Sequence, residues 1–169
     1  MGGVYFALAV PVRRALCVER QAFHLPGGSE RMVTLGLVVA QFNKEQPITH
    51  EMEAAARDAA AERDATIAET IPVPGAYDAP LAADRLARRD DIDAVAVIGA
   101  IITGDTDHDR VIADAAAQGL TEVSLDRDTP VTYGVTGPGM SVADAEARIP
   151  KGGDVVDSAI DLAVELQDL

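Results

Sequence analysis

Short apolar runs and alanine-rich amphipathic stretches alternate along the chain from Val33 onward. Continuous runs rich in β-branched residues are typical of buried parallel strands, and apolar positions at helical spacing predict the helices that connect them. Strand–helix alternation favours right-handed βαβ units, whose helices cover both faces of one sheet. We therefore predict an α/β subunit, a three-layer α/β/α sandwich around a four-stranded parallel sheet.

The predicted elements follow this alternation in order. Strands are predicted at residues 34–40, 65–73, 94–102 and 129–135, and helices at residues 49–64, 77–89, 107–118 and 154–167. Gly119 should end the third helix, because glycine is common just beyond helix C-termini. The segment TGPGM after the fourth strand is predicted to be a turn. Ser141 and Asp144 have the spacing of a capping box, so they predict a further short helix to about Arg148.

Polar segments follow the predicted strands. They are QFNK at 41–44, PGAYDAP at 74–80, TGDTDHD at 103–109 and the region of Tyr133. The carboxyl ends of parallel strands meet at one edge of a sheet, and open α/β sheets bind their ligands there. We therefore expect these segments to converge on one binding site.

His108 is one of three histidines in the chain, and it lies among Asp105, Asp107 and Asp109. A histidine at a strand end can donate and accept protons beside a bound substrate. The alternative is a solvent-exposed residue in the first turn of a helix. A metal site is less favoured, because the other two histidines lie at no recognisable ligand spacing from His108. We therefore predict no metal at this site.

Other residues near the predicted site suit a planar, anionic ligand. Phe42 could stack on a heterocycle, although it could also pack against a neighbouring loop or subunit. Gly75 would let the backbone approach a ligand closely. The start of the third helix offers unpaired N–H groups to an anion, although the sequence has neither a dinucleotide fingerprint nor a P-loop. Arg148 is the candidate cation; alternatively, it is a solvated arginine paired with Asp144.

The chain is strongly acidic, with 14 basic and 28 acidic side chains and a formal net charge of −14. This charge disfavours nucleic acid and anionic membranes as partners. Only two lysines are present, a bias typical of salt-adapted cytoplasmic proteins. A single cysteine, Cys17, excludes an internal disulfide. Residues 1–31 do not fit the alternation, and we interpret them as an N-terminal extension or a misassigned start, with Met32 as an alternative beginning.

Several of these segments together resemble one family. FN after the first strand, VPGAYDAPLAA after the second, IGAIITGDTDHD along the third and PVTYGVTGPGM followed by an arginine resemble 6,7-dimethyl-8-ribityllumazine synthase, most closely its archaeal form. The likeness covers nearly all of residues 32–169. It implies a flavodoxin-like fold and the cofactor-free condensation of 5-amino-6-(D-ribitylamino)uracil with 3,4-dihydroxy-2-butanone 4-phosphate in riboflavin biosynthesis.

The resemblance also implies roles for individual residues. Phe42 would stack on the pyrimidine and His108 would donate the proton. The other positions implied within the same subunit are Ala76, Tyr77 and Asp78 at the ribityl chain and ring, Ala100, Ile101 and Ile102 at the pyrimidine, and Asp105 and Thr106 at the butanone phosphate. Tyr133 and Arg148 would come from an adjacent subunit, with the arginine on the phosphate. The family assembles as homopentamers, some of which form sixty-subunit shells.

Three rival functions remain at this point. An archaeal-type riboflavin synthase, which acts on the lumazine product, is disfavoured because the FN, GAYD and GDTDHD segments fit the lumazine enzyme. A non-catalytic flavin-binding or shell-forming protein could keep the same pocket, but Phe42, His108 and Arg148 argue against it. A receiver-like signalling domain would need grouped acidic residues after the first strand, where the sequence has QFNK.

Overall fold

The computed structural model describes residues 32–41 and 48–167. Phe42 and the predicted N-terminal extension lie outside the described residues. The strands are β1 (Thr34–Ala40), β2 (Thr66–Val73), β3 (Ala94–Ile102) and β4 (Val131–Met140). The helices are α1 (Ile48–Glu62), α2 (Ala79–Ala87), α3 (His108–Arg127), α4 (Val142–Glu146) and α5 (Lys151–Leu166), and a 3-10 turn spans Ala76–Asp78.

The four strands form one parallel sheet in the order β2-β1-β3-β4. This is the order of the first four strands of a flavodoxin-like sheet. Alternate strand residues point to opposite faces, so in β3 the fully buried Ala96 packs with α1 and α5 while its neighbour Val97 packs with α2 and α3. The predicted three-layer α/β/α fold with a parallel four-stranded sheet is confirmed.

Helices α1 and α5 cross on one face of the sheet at very close range. Gly152, in the first turn of α5, is buried against the backbone of α1, where a Cβ at this position would overlap the Met52 carbonyl oxygen. Any side chain there would force the two helices apart.

None of the helices in the described parts of the chain is both long and apolar enough to cross a bilayer.

The prediction that Gly119 ends the third helix is wrong. Helix α3 continues two further turns to Arg127 and ends where Asp128 adopts a left-handed conformation with φ of 51°. Gly119 serves packing instead, because a Cβ there would lie 2.9 Å from Cγ of Pro80. The glycine lets α3 lie close against the start of α2.

The prediction of a turn at TGPGM is also wrong, because β4 continues to Met140. Met140 pairs with Ile102, and its carbonyl oxygen accepts a 2.9 Å hydrogen bond from the Thr103 N–H. Gly137 and Gly139 have φ of 106° and 78°, which residues other than glycine rarely adopt, so the strand end is irregular but still paired. The last helix, α5, begins at Lys151, three residues earlier than predicted.

Candidate active site

A cavity of about 390 Å³ lies at the carboxyl ends of β2 and β3, and we refer to it as the first cavity. It brings together eight of the residues proposed from the sequence. These are Ala76, Tyr77, Asp78, Ala100, Ile101, Ile102, Thr106 and His108; Pro74, Gly75, Gly104, Asp109 and Ile112 complete the wall. Asp105 lies exposed on the same loop but does not line the cavity. The expected convergence of strand-end segments therefore holds for the segments after β2 and β3.

One wall of the first cavity is the tight turn after β2. The Gly75 N–H donates to Oδ2 of Asp78 over 3.1 Å, and the Asp78 N–H donates to the Gly75 carbonyl oxygen over 3.1 Å. These two bonds fix the backbone of the turn. Ala76 is buried beneath it, whereas the Tyr77 side chain is 64% exposed. The Tyr77 ring is therefore accessible to a ligand, above a turn whose backbone is hydrogen-bonded.

The opposite wall is the loop after β3 together with the first turn of α3. His108 is exposed and is the first residue of α3. The preceding Asp107 makes no side-chain hydrogen bond to the helix. The Arg110 N–H is taken by the Asp109 side chain, but the N–H groups before it in the first turn remain available to an anion. No ion pair joins His108 to Asp105, Asp107 or Asp109, all of which belong to the described residues.

Asp109 is a buried carboxylate that the sequence did not single out. Its Oδ2 accepts hydrogen bonds from the Thr103 hydroxyl over 2.9 Å and from the Gly139 N–H over 3.0 Å, and its Oδ1 accepts from the Arg110 N–H over 2.9 Å. The hydrogen bond from Gly139, followed by that from Thr103, lowers the pKa of Asp109 below its usual value. The carboxylate is therefore ionised at neutral pH and holds two loops together.

The contacts of Asp109 could be predicted from the sequence only in part. An aspartate in the first turn of a helix, six positions after a threonine, is compatible with such a contact, but we interpreted it only as a charged neighbour of His108. Its partner Gly139 could not be identified while TGPGM was predicted to be a turn.

A second cavity, of about 420 Å³, lies at the end of β4, and it contains Arg148. The residues around it are Val135, Thr136, Gly137, Met140, Ala147, Arg148, Pro150, Lys151 and Asp154. Arg148 Nη1 donates to the backbone oxygen of Asp144 over 2.8 Å and makes no ion pair with the carboxylate of that residue. Within one chain, therefore, Arg148 and His108 line different cavities.

The capping box predicted at Ser141 and Asp144 is present. The Asp144 N–H donates to Oγ of Ser141 over 3.2 Å, and the Ser141 N–H donates to the Asp144 carboxylate over 3.0 Å. The hydroxyl and N–H of Ser141 are the main causes that lower the pKa of Asp144, while the charge of Arg148 contributes less. This cap fixes the five-residue helix α4, which directly precedes Arg148.

Tyr133 does not lie at a strand end, so its predicted position is wrong. Because β4 continues to Met140, Tyr133 is only its third residue and pairs with Val97 in the middle of the sheet. It is half-buried against the α2–α3 side, and this burial, more than the charge of Asp114, raises the pKa of its hydroxyl. It lines neither of the two cavities.

The described residues contain no group of three or more histidine, cysteine or acidic side chains arranged to hold a metal ion. The polar groups that line the first cavity belong to the backbone of the loops and to hydroxyl, carboxylate and imidazole side chains. These groups can bind a planar ligand and move protons.

Comparison with known proteins agrees with the geometry. Residues 32–167 match the family model described as 6,7-dimethyl-8-ribityllumazine synthase. A protein of that name from Halorubrum lacusprofundi is 68% identical over 135 residues, which cover 80% of this chain and 99% of the relative. The corresponding protein of Halobacterium salinarum is 67% identical, with 80% and 100% covered, and that of Methanocaldococcus jannaschii is 41% identical, with 82% and 96% covered.

Proposed function

The chain belongs to the 6,7-dimethyl-8-ribityllumazine synthase family, and from this premise we propose how its two cavities divide the work of the reaction. The protein is a transferase of riboflavin biosynthesis. It condenses 5-amino-6-(D-ribitylamino)uracil with 3,4-dihydroxy-2-butanone 4-phosphate to form 6,7-dimethyl-8-ribityllumazine, releasing phosphate and water. A single observation carries the assignment of residues: His108 and Arg148 line separate cavities of the same chain.

In this proposal the first cavity binds the uracil substrate. The pyrimidine lies against the end of β3, where Ala100, Ile101 and Ile102 offer backbone donors and acceptors. The ribityl chain lies along the turn at Ala76, Tyr77 and Asp78, whose backbone is already fixed by hydrogen bonds. Phe42, which follows β1, stacks on the ring.

The phosphate of the second substrate lies at the loop of Asp105 and Thr106, close to the N-terminus of α3. The helix end favours an anion there, but the neighbouring aspartates oppose one. No lysine or arginine is among the described residues that line the first cavity. Arg148 of an adjacent subunit supplies the missing positive charge in our proposal.

His108 transfers the protons of the reaction. Formation of an imine between the amine and the ketone, followed by loss of phosphate and ring closure, requires several proton transfers but no covalent bond to the protein. An exposed imidazole at the mouth of the cavity, one turn or less from the phosphate loop, can reach both reacting groups. The rest of the rate enhancement comes from orientation of the two substrates.

A site shared between neighbours requires an assembly in which one surface of each subunit meets a different surface of the next. Such contacts close into rings. We propose a homopentamer, alone or as part of a sixty-subunit shell. We also propose that the protein works in a salt-rich cytoplasm, because an acidic chain with only two lysines suits that medium. The domain then comprises residues 32–169, with residues 1–31 outside it.

Mixed assemblies test the shared site directly. Chains carrying His108→Ala and chains carrying Arg148→Ala, each with a different tag, are co-expressed, and assemblies with both tags are purified. In a randomly mixed ring about a quarter of the sites combine an intact His108 with an intact Arg148, so lumazine formation, measured by absorbance, should recover to about that fraction of the wild type. Each variant alone is the control. A mixture as inactive as its parents would contradict the shared site.

A further inference from the structure

The buried carboxylate of Asp109 connects two segments that belong to different cavities. Thr103 directly follows Ile102 and precedes Gly104, both of which line the first cavity. Gly139 lies between Gly137 and Met140, both of which line the second. One oxygen of Asp109, Oδ2, accepts hydrogen bonds from both segments. A movement of either loop therefore changes a bond that also holds the other.

The contact with Asp109 is one of several that hold the end of β4. Gly139 has a positive φ, and a Cβ at this position would point into open space, so the chain is not covered on that side. Besides the Asp109 bond, the segment is attached to the end of β3 by the pairing of Met140 with Ile102, by the close approach of Gly137 to Ile101 and by the hydrogen bond between the Thr103 N–H and the Met140 carbonyl oxygen. Hydrogen bonds to an ionised acceptor are stronger than neutral ones, so the bond from Gly139 to the carboxylate is stronger than the neutral bond from Thr103 to Met140.

We propose that Asp109 is a positioning residue that supports two neighbouring active sites at once: the site of its own subunit through the His108 loop, and the site of the next subunit through the end of β4 and the cavity of Arg148. This inference rests on the shared site proposed above. Asp109 acts through the loops that it joins, because its carboxylate oxygens are occupied by Thr103, Gly139 and Arg110.

The mixed assemblies separate these two effects. In a mixture of His108→Ala chains and Arg148→Ala chains, every working site takes its histidine from an Arg148→Ala chain and its arginine from a His108→Ala chain. Adding Asp109→Ala to the Arg148→Ala chain therefore tests the histidine side alone. Adding it to the His108→Ala chain tests only the arginine side.

We expect different kinetic changes from the two placements. On the histidine side, Asp109→Ala should lower kcat by about tenfold, because loss of charge-assisted bonds lets the loop of His108 move. On the arginine side it should raise the KM for the butanone phosphate by about tenfold, with less change in the KM for the uracil. A merely structural role would lower the amount of assembled protein, which mass measurement detects, and would not produce this split.

Clear results would overturn the proposal. If Asp109→Ala on the arginine side leaves both KM values unchanged, Asp109 serves only its own subunit's site and the coupling is wrong, while recovery of activity in the parent mixture still supports the shared site. If the parent mixture itself is inactive, the shared site fails and the coupling fails with it.

Three further variants keep the test decisive. Asp109→Asn retains one oxygen that can accept from Thr103 and Gly139, so it should restore most of the activity that Asp109→Ala loses; equal loss in both variants would mean that charge, not attachment, matters. Thr103→Val removes one bond at nearly constant volume and should reproduce the histidine-side effect more weakly, even if Asp109→Ala does not assemble. Asp126→Asn, an exposed carboxylate near the other end of α3, is the matched control and should change neither constant.

Discussion

The two cavities of the subunit lie at neighbouring strand ends but are lined by different kinds of groups. The first is enclosed by the backbone of paired strands and a hydrogen-bonded turn, and no lysine or arginine is among its described lining residues. The second lies behind a five-residue helix and contains both Arg148 and Lys151. One cavity thus offers shape without positive charge, and the other offers positive charge with little enclosure.

From this difference we infer that neither cavity alone suits both substrates. A planar uracil requires fixed walls and backbone hydrogen bonds, whereas a phosphate requires cations and can tolerate an open site. The reaction joins the two substrates, so the two kinds of cavity must meet. The following variants test that division of labour, beginning with the largest expected effect.

Removing the imidazole should affect the chemical step most. We expect His108→Ala to lower kcat by about 10²–10⁴, because general acid–base help is typically worth that factor, with modest changes in either KM. Steady-state kinetics on both substrates would measure this. His50→Ala, an exposed histidine on α1, is the matched control. Wild-type kcat in the His108 variant would mean that the first cavity orients the substrates but does not move their protons.

Removing the arginine should affect one substrate selectively. Arg148→Ala should raise the KM for the butanone phosphate by about 10- to 100-fold, because a charge-assisted contact loses its donor, and should leave the KM for the uracil nearly unchanged. Arg85→Ala, an exposed arginine on α2, is the control. Equal losses for both substrates would show that the two cavities do not divide the substrates as we propose.

Weakening the cap of α4, the helix that precedes Arg148, should raise the KM for the butanone phosphate less than removing the arginine does. Ser141→Ala removes the hydroxyl that caps α4, a loss worth about 1 kcal/mol of local stability. We expect the KM for the butanone phosphate to rise by a factor of about five, with kcat preserved. Ser158→Ala, which removes a hydroxyl bonded to a carbonyl of α5, provides the comparison. If both serine variants behave alike, the cap does not position the arginine.

Salt should have the smallest effect on the KM for the butanone phosphate. The direction of this effect should be opposite to that at an ordinary anion site, where salt weakens binding. Asp105 and Asp107 repel the phosphate, and raising the ionic strength from about 0.1 M to about 1 M shortens the screening length from ~10 Å to ~3 Å. The KM for the butanone phosphate should therefore hold steady or fall. Asp107→Asn should weaken any fall. A KM that rises steeply with salt would mean that the cations of the second cavity dominate the electrostatics.

The central strands and the short capped helix could be predicted from the sequence because their signals are local. The runs TLGLVVA and AVAVIGAII gave the observed limits of β1 and β3, since a strand buried on both faces is apolar at every position. Ser141 and Asp144 contact each other within one turn. The loops after β2 and β3 could be assigned to one cavity because the carboxyl ends of parallel strands meet at one edge of a sheet.

The remaining features depend on contacts between distant parts of the chain. Gly119 lies inside α3, where the absence of a side chain leaves room for Pro80. In the sequence, a glycine that ends a helix cannot be distinguished from one that allows close packing. The segment TGPGM has the composition of a turn, yet Thr103 and Asp109 hold it as a strand end. Tyr133 was placed too close to the strand end for this reason. The sequence indicated Arg148 as a candidate cation, but only the resemblance assigned it to the site of an adjacent subunit.

The strand order also has a consequence for how the protein folds. The walls of the first cavity come from the ends of β2 and β3, which are not neighbours in the sheet, because β1 lies between them. The contact of the Thr34 N–H with the Asp93 carboxylate spans 59 positions, and such long-range contacts form slowly because they close large loops. A chain emerging from the ribosome can complete β1, α1 and β2 with only half of the cavity in place. Uracil binding should therefore begin only after β3 has crossed to the far edge of β1, which makes ligand binding a late reporter of folding.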